Sequence, residues 1–360
     1  MRSNMKIKKK KYIVCSVLLV MLCLTGCNSS NSKVGDRKTA DNTNAEYTQD
    51  IFAMDTYMNL TAYGSGAKKS VEDAVTEINR LDKLWSVGNQ DGEVATLNKE
   101  GSGTLSKDTK ELFCRSLDLY KSTKGAFDIT VYPLMDLWGF TTGKYHVPSQ
   151  EQLTETLKYV NQSEIKFSKE DGAITLGKGQ KVDFGGIAKG FTSNRIMEIW
   201  KEQGITSGKV SLGGNVQVLG SKTDGSAWKI GIQNPDNQDG EMIGVVTVKN
   251  KAVITSGGYE RYFEENGKKY HHILDTKNGY PADSGLTSVS IVSEDGTLAD
   301  GLSTSLFIMG KDKAIAYWRE HKDEFDTILV ENDGSIYVTE GLEECFSSDY
   351  KFEIVRGDAQ

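Results

Sequence analysis

From Ile165 onward the chain is written as short β-branched runs broken by glycine turns, a pattern that confines it to a sheet with tight reversals. The runs are Ile165–Phe167, Ala173–Leu176, Lys209–Leu212, Val216–Leu219, Trp228–Ile232, Ile243–Val248, Ala252–Thr255 and Thr287–Val292, with two more near Thr327–Val330 and Ile336–Val338. Only a few helical patterns interrupt them: Ile187–Gln203, ended by Gly204, then Ala299–Met309 and Asp312–His321. So few βαβ alternations predict an α+β fold, a mostly antiparallel sheet packed with helices. The 37 glycines suit a chain with this many turns.

The first half reads differently. Ile51–Tyr63 alternates as a strand, and Ala67–Leu84 carries Val71, Val75, Ile78 and Leu81 at helical spacing. Ser106 is placed to N-cap a helix running to about Thr123, and Ser149 to start another reaching about Val160. Between them, Gly125–Phe140 is dense in apolar and aromatic residues and holds Asp128.

Residues 1–27 read as an export signal rather than as part of the fold. Lys6 and Lys8–Lys11 form a basic start, Ile13–Leu24 a short apolar run, and the run ends at Leu24-Thr25-Gly26-Cys27. The ending resembles a bacterial lipobox, which predicts lipidation at Cys27; an ordinary secretory signal with a chance cysteine is the alternative. Residues 28–46, rich in Ser, Asn, Thr and Asp, lack the apolar surface to fold and are expected to be a disordered tether. Residues 47–360 then form the globular part, long enough for one large domain or two small ones. Lys and Arg total 43 against 50 Asp and Glu, and six of the basic residues lie in the signal. The exported protein is acidic, which argues against nucleic acid. Beyond the signal and Cys27 only Cys114 and Cys345 remain, too few for a disulfide framework or a Cys/His zinc spacing.

Three segments suggest chemistry. In Val182–Gly190 (VDFGGIAKG), Asp183 precedes paired glycines at a helix start, where free N–H groups can meet phosphate. In Ala299–Ser305 (ADGLSTS), Asp300, Ser303 and Thr304 share one helical face, a set of oxygens suited to a hard cation such as Mg²⁺. Asp300 as a plain helix N-cap is the rival reading, and spacing alone favours it. In KKYHHILD the adjacent His271 and His272 of a strand point to opposite faces, so one can face a cleft and act as a base. Ser211–Asn215 and Thr255–Arg261 read as backbone-donor turns, or as plain turns, with Arg261 available for an anion. Asp128 either bonds a polar ring or caps local backbone.

Taken in order, MDT at Met54–Thr56, LDKLWS with VATLN, GAFDITVYPLMDLWGF, VDFGGIAKG, VSLGGN, ITSGGYERYF, HHILDTKNGYP and ADGLSTS resemble the ApbE family of FAD:protein FMN transferases. The resemblance spans about Ile51 to Val338. It implies a T-fold-like α+β domain that splits FAD, moves FMN onto a threonine hydroxyl of an exported acceptor protein and releases AMP. It further implies Mg²⁺ held by the Gly186 carbonyl, Asp300 and Thr304, with Ser303 also in reach. FAD contacts fall at Met54, Ala126, Phe127, Asp128, Asp183, Lys189 and Leu274. His272 falls at the base for the acceptor hydroxyl, and Asp300 is counted with it as catalytic. Three positions depart from the family pattern: Asp55 stands for a glycine, Gly88 for a flavin-stacking tyrosine, and Gly92 for a serine. Two other functions stay open at this point, an Mg²⁺-dependent FAD pyrophosphatase and a non-catalytic flavin-binding lipoprotein. Cys27 would anchor the protein on the outer face of the bacterial cytoplasmic membrane.

Overall fold

The computed structural model describes residues 45–236 and 240–357. The signal, Cys27 and the tether before residue 45 lie outside the described residues. Nine strands form the central sheet, in the order Glu46–Ala53, Thr56–Tyr63, Ser207–Leu212, Asn215–Gly220, Ala252–Gly257, Leu286–Ser293, Asp326–Glu331, Ile336–Thr339 and Glu353–Val355. Every neighbouring pair is antiparallel except the last, which is parallel. This is the α+β, mostly antiparallel sheet that the β-branched runs predict.

One expected strand is in fact two. Ile51–Tyr63 folds as a hairpin in which Ala53 pairs with Thr56, leaving Met54 and Asp55 as a two-residue loop. Both loop residues have positive φ, +48° and +57°, as a type I′ turn requires. Aspartate tolerates that backbone, and glycine adopts it more freely, which accounts for the glycine of the family pattern at position 55. Glu46, assigned to the tether, already belongs to the first strand.

Alternation along the strands gives the sheet two covered faces. On one, Ala252, Ile254, Val289, Ile291 and Leu329 pack with Ala299, Leu302 and Leu306 of the helix Gly296–Met309. Met58, Leu60, Val210 and Leu212 pack on that side with helices Ala67–Trp85 and Ala188–Glu202 through Val71, Ile78, Ile196 and Trp200. On the other face, Val218, Val253, Val292, Ile328 and Val330 meet Trp228, Ile230, Ile232, Val246 and Val248. Those partners come from a three-stranded sheet of Trp228–Gln233, Met242–Val248 and Phe346–Ser347. Each such buried aliphatic side chain contributes about 1.5–3 kcal/mol.

Local signals set the remaining elements. Ser149 starts the helix Gln150–Leu157 through a capping box with Gln152. Ser106 occupies the N-cap of Lys107–Ser122, yet its hydroxyl donates to Glu93 Oε2 at 2.6 Å instead of capping. The apolar stretch 125–140 becomes a 3₁₀ turn at Ile129–Val131 and a short helix, Tyr132–Leu137. A small hairpin, Tyr262–Glu265 with Lys268–His271, turns on Asn266-Gly267 and packs Phe263 and Tyr270 against Trp138.

Candidate active site

The helices Ala188–Glu202 and Gly296–Met309 cross with almost no space between them. A Cβ added to Gly190 would lie 2.1 Å from the Gly296 oxygen and 2.5 Å from Asp300 Cβ. Only glycine permits this approach, and it brings the Gly190 N–H within 2.8 Å of Asp300 Oδ2. Asn215, at the start of its strand, donates from Nδ2 to Asp300 Oδ1 at 2.9 Å. Asp300 is 4 % exposed, and these donors satisfy each of its buried carboxylate oxygens. It also stands at the first turn of the other helix, where a negative charge is favoured.

The N-cap reading of Asp300 is overturned. The helix begins at Gly296, three residues before the expected start, and its cap is Asp295, whose Oδ1 accepts from Leu298 N at 3.1 Å. Asp295 is held in turn by Arg115 and by Asn194 Nδ2 at 2.7 Å. Asp300 lies in the second turn and is free of the capping role.

Thr304 faces the Gly186 turn. A Cβ on Gly186 would sit 4.0 Å from Thr304 Oγ1 and 3.3 Å from Phe127 Cε2, so these three residues converge. Ser256, on the adjoining strand, braces the helix: its Oγ lies 2.7 Å from Ser303 Oγ and 3.3 Å from Thr304 Oγ1. Ser303 departs from expectation as a ligand. It is fully buried, and its hydroxyl also donates to the Asp300 carbonyl at 2.8 Å, so its polar capacity goes to protein partners.

The remaining predicted contacts come from several elements, and only Asp183 and Lys189 are recorded on the glycine turn itself. Asp183 folds back on the glycine turn, Oδ1 accepting from Gly185 N at 2.7 Å, while its own N–H donates to Ile129 O at 2.8 Å. Desolvation raises its pKa, against the Gly185 N–H and the charges of Arg261 and Lys189. Lys189 extends past the same turn, Nζ 3.5 Å from Gly185 O. Asp128 caps the 3₁₀ turn: Oδ1 accepts from Thr130 N at 2.7 Å and Oδ2 from Gln162 N at 3.1 Å. Of its two sequence readings, local capping is the one observed; burial raises its pKa despite these bonds. Ala126 and Phe127 are buried just before it. Met54, on its hairpin turn, meets the Thr192 hydroxyl through sulfur at 3.9 Å. Leu274 is buried among Trp138, Phe140 and Leu153 and forms an isolated bridge with Pro281.

The two histidines separate as alternation predicts. His271 turns inward, edge-on to Phe307 at 5.5 Å, with Nε2 3.2 Å from the Ala282 carbonyl. His272 turns toward Phe140, and its Nδ1 lies 3.1 Å from the Arg261 carbonyl. A carbonyl can only accept, so Nδ1 carries the proton and Nε2 keeps its lone pair. Burial pushes the His272 pKa down to about 3; the Arg261 carbonyl opposes this, and the charges of Arg261, His271 and Lys189 add to it. The ring is therefore a neutral proton acceptor at pH 7. Arg261 donates to the Phe140 carbonyl and lies over that ring, so it is held in place rather than free.

Four contributors escape the motif reading. Asn215 and Gln217 are polar residues at alternate positions of a strand whose other face is Val216 and Val218; such a pattern usually marks a solvated face, yet both are buried. Ser256 lies inside a turn motif read for its backbone. Glu260, next to Arg261, has its pKa raised by partial desolvation, with the charge of Lys189 lowering it and that of Asp300 raising it. Those influences place it among the same charges.

The family model described as the ApbE family matches residues 54–329. An FAD:protein FMN transferase of Klebsiella pneumoniae is 31% identical over 266 residues, 73% of this chain and 82% of that protein. One of Haemophilus influenzae is 31% identical over 266 residues, 71% of this chain and 76% of that protein. Among solved structures, the ApbE protein of Thermotoga maritima superimposes with a TM-score of 0.78 at 32% identity, over 83% of this chain and 98% of its own. The apo flavinyl transferase ApbE of Pseudomonas stutzeri gives 0.75 at 26% identity, over 87% and 100%. A match over most of the described fold, together with relatives this similar, leads to one conclusion: the chain belongs to the ApbE family.

Proposed function

We propose that this enzyme transfers FMN from FAD to a threonine hydroxyl of an exported acceptor protein, with Mg²⁺, and releases AMP. Flavin transfer from FAD is the activity named for its curated relatives. The observation that carries the finer reading is the approach of the Gly186 turn to Thr304, which lies one helical turn from Asp300 on the same helix.

The donors there fit Mg²⁺. Each Asp300 oxygen makes one protein hydrogen bond, leaving lone pairs on both. Among the described residues no three or more His, Cys, Asp or Glu cluster, so one carboxylate, a carbonyl and a hydroxyl would supply the protein's share. Mg²⁺ accepts such a set when substrate phosphate and water complete it. Bound there, the ion would offset pyrophosphate charge. The protein's own part is then positioning and proton transfer. Lys189, beside the glycine turn, binds phosphate oxygens. His272 Nε2 takes the proton as the threonine oxygen attacks the FMN phosphorus. A P–O bond forms to threonine, the pyrophosphate P–O bond breaks, and AMP leaves with its electron pair. Read as an export signal with lipidation at Cys27, residues 1–27 would put this reaction on the outer face of the bacterial cytoplasmic membrane.

The test is to incubate the purified protein with FAD, Mg²⁺ and an acceptor bearing an exposed threonine motif. AMP with a flavin-labelled acceptor is expected. AMP with free FMN would make the enzyme a pyrophosphatase, and no AMP would make it a flavin carrier. His272→Gln is expected to slow transfer by about 10²–10⁴-fold with FAD affinity kept. Transfer at the parent rate would remove His272 as the base.

A further inference from the structure

We infer that Asn215 is a positioning residue that sets the metal affinity of the site by fixing the plane of the Asp300 carboxylate. The inference rests on the proposed metal reading above. Asn215 follows Gly213 and Gly214, whose φ values of +62° and +92° form the loop between two strands. Leu212 pairs directly with Asn215 across that loop, so the side chain's starting point is set by the register. The side chain is 3 % exposed, too buried for solvent to replace its hydrogen bond.

Two donors reach Asp300, one on each oxygen: the Asn215 amide on Oδ1 and the Gly190 N–H on Oδ2. With a single donor the carboxylate can rotate about χ2 and still satisfy it. With two, on different elements, rotation breaks one bond. The lone pairs left over then point in one fixed direction. Gly190 is itself held, because the single proton of Ser193 Oγ is shared between the Gly190 carbonyl at 2.9 Å and Gln217 Oε1 at 2.5 Å. Gln217 sits two residues beyond Asn215 on the same strand face, so both donors to Asp300 are referenced to one strand. Outer partners of this kind commonly change metal affinity or activity by about 10–100-fold when removed.

The test uses the full chain and Mn²⁺ alone, followed by loss of the free-ion EPR signal, beside the Mg²⁺ concentration for half-maximal transfer. Asn215→Ala is expected to weaken Mn²⁺ binding about tenfold or more, with the Mg²⁺ requirement shifted by a similar factor and kcat at saturating Mg²⁺ little changed. Asn215→Ser, whose hydroxyl leaves room for a bridging water, is expected to fall between parent and alanine; if the alanine variant does not fold, this one decides. Mn²⁺ affinity within about twofold of the parent in the folded variants would overturn the inference. So would a loss of FAD affinity with metal affinity unchanged, which would assign Asn215 to the flavin. Asp300→Asn separates the two levels. If it abolishes Mn²⁺ binding while the Asn215 variants do not alter it, the metal site stands and this role falls. If it binds Mn²⁺ as the parent does, the metal reading itself falls.

Discussion

The two faces of the central sheet solve different problems. The face covered by three strands is mostly β-branched against β-branched, Val253, Val292, Ile328 and Val330 against Ile230, Ile232 and Val246. Its hydroxyls pair among themselves, Thr255 Oγ1 with Ser290 Oγ at 2.7 Å. The face covered by helices buries Asn215, Gln217, Ser193, Ser303 and Asp300 in one connected seam. Burying such groups costs free energy that hydrogen bonds recover only in part. The difference is one of composition: one face is mostly apolar, while the other combines the larger apolar core with a polar seam that fixes the direction of a few oxygen atoms.

The largest expected effect lies on the helix side. Asp300→Asn should lower metal-dependent transfer by about 10³-fold, the loss of several kcal/mol of charge stabilisation, with the melting temperature changed far less. Full turnover in that variant would separate the polar seam from the chemistry. On the opposite face, Ile328→Ala should cost about 2–5 kcal/mol of stability in urea titrations, leaving turnover per folded molecule unaltered. If its kcat fell tenfold at a temperature where it is fully folded, the two faces would not be independent.

The smallest effect is in pH dependence. The His272 pKa is lowered from 6.5 to about 3 on folding. Between those values the unfolded chain binds the extra proton, so this contribution to stability is complete above about 6.5 and lost as pH falls toward 3. In His272→Gln the melting temperature at pH 5, relative to pH 8, should rise by about 2–4 °C over the parent's difference. Equal differences in the two proteins would show that His272 keeps an ordinary pKa in the folded state.

The sheet-covered face was also the more legible in sequence. Period-2 runs such as Ile243–Val248 and Thr327–Val330 match their strands within one residue, because burial on one or both faces leaves a direct mark on residue type. The long helices were equally plain, Ala67–Trp85 against an expected end at Leu84. The helix-covered seam was not, since a buried Asn215 and a solvated one look alike until the helices above the strand are in place. The hairpin at Met54–Asp55 hid for a related reason: alternation continues through a two-residue turn, so Ile51–Tyr63 reads as one strand. The spacing to Thr304 marks Asp300, whereas nothing in the sequence marks Asp295, five residues earlier, as the cap, because no apolar periodicity begins there.

Gly190 imposes a constraint that reaches beyond the chemistry. At 2.1 Å from a main-chain oxygen, its missing Cβ admits none of the other nineteen side chains without parting two helices. Any side chain at this position would therefore shift the N–H that holds Asp300 Oδ2 together with the helix that carries it.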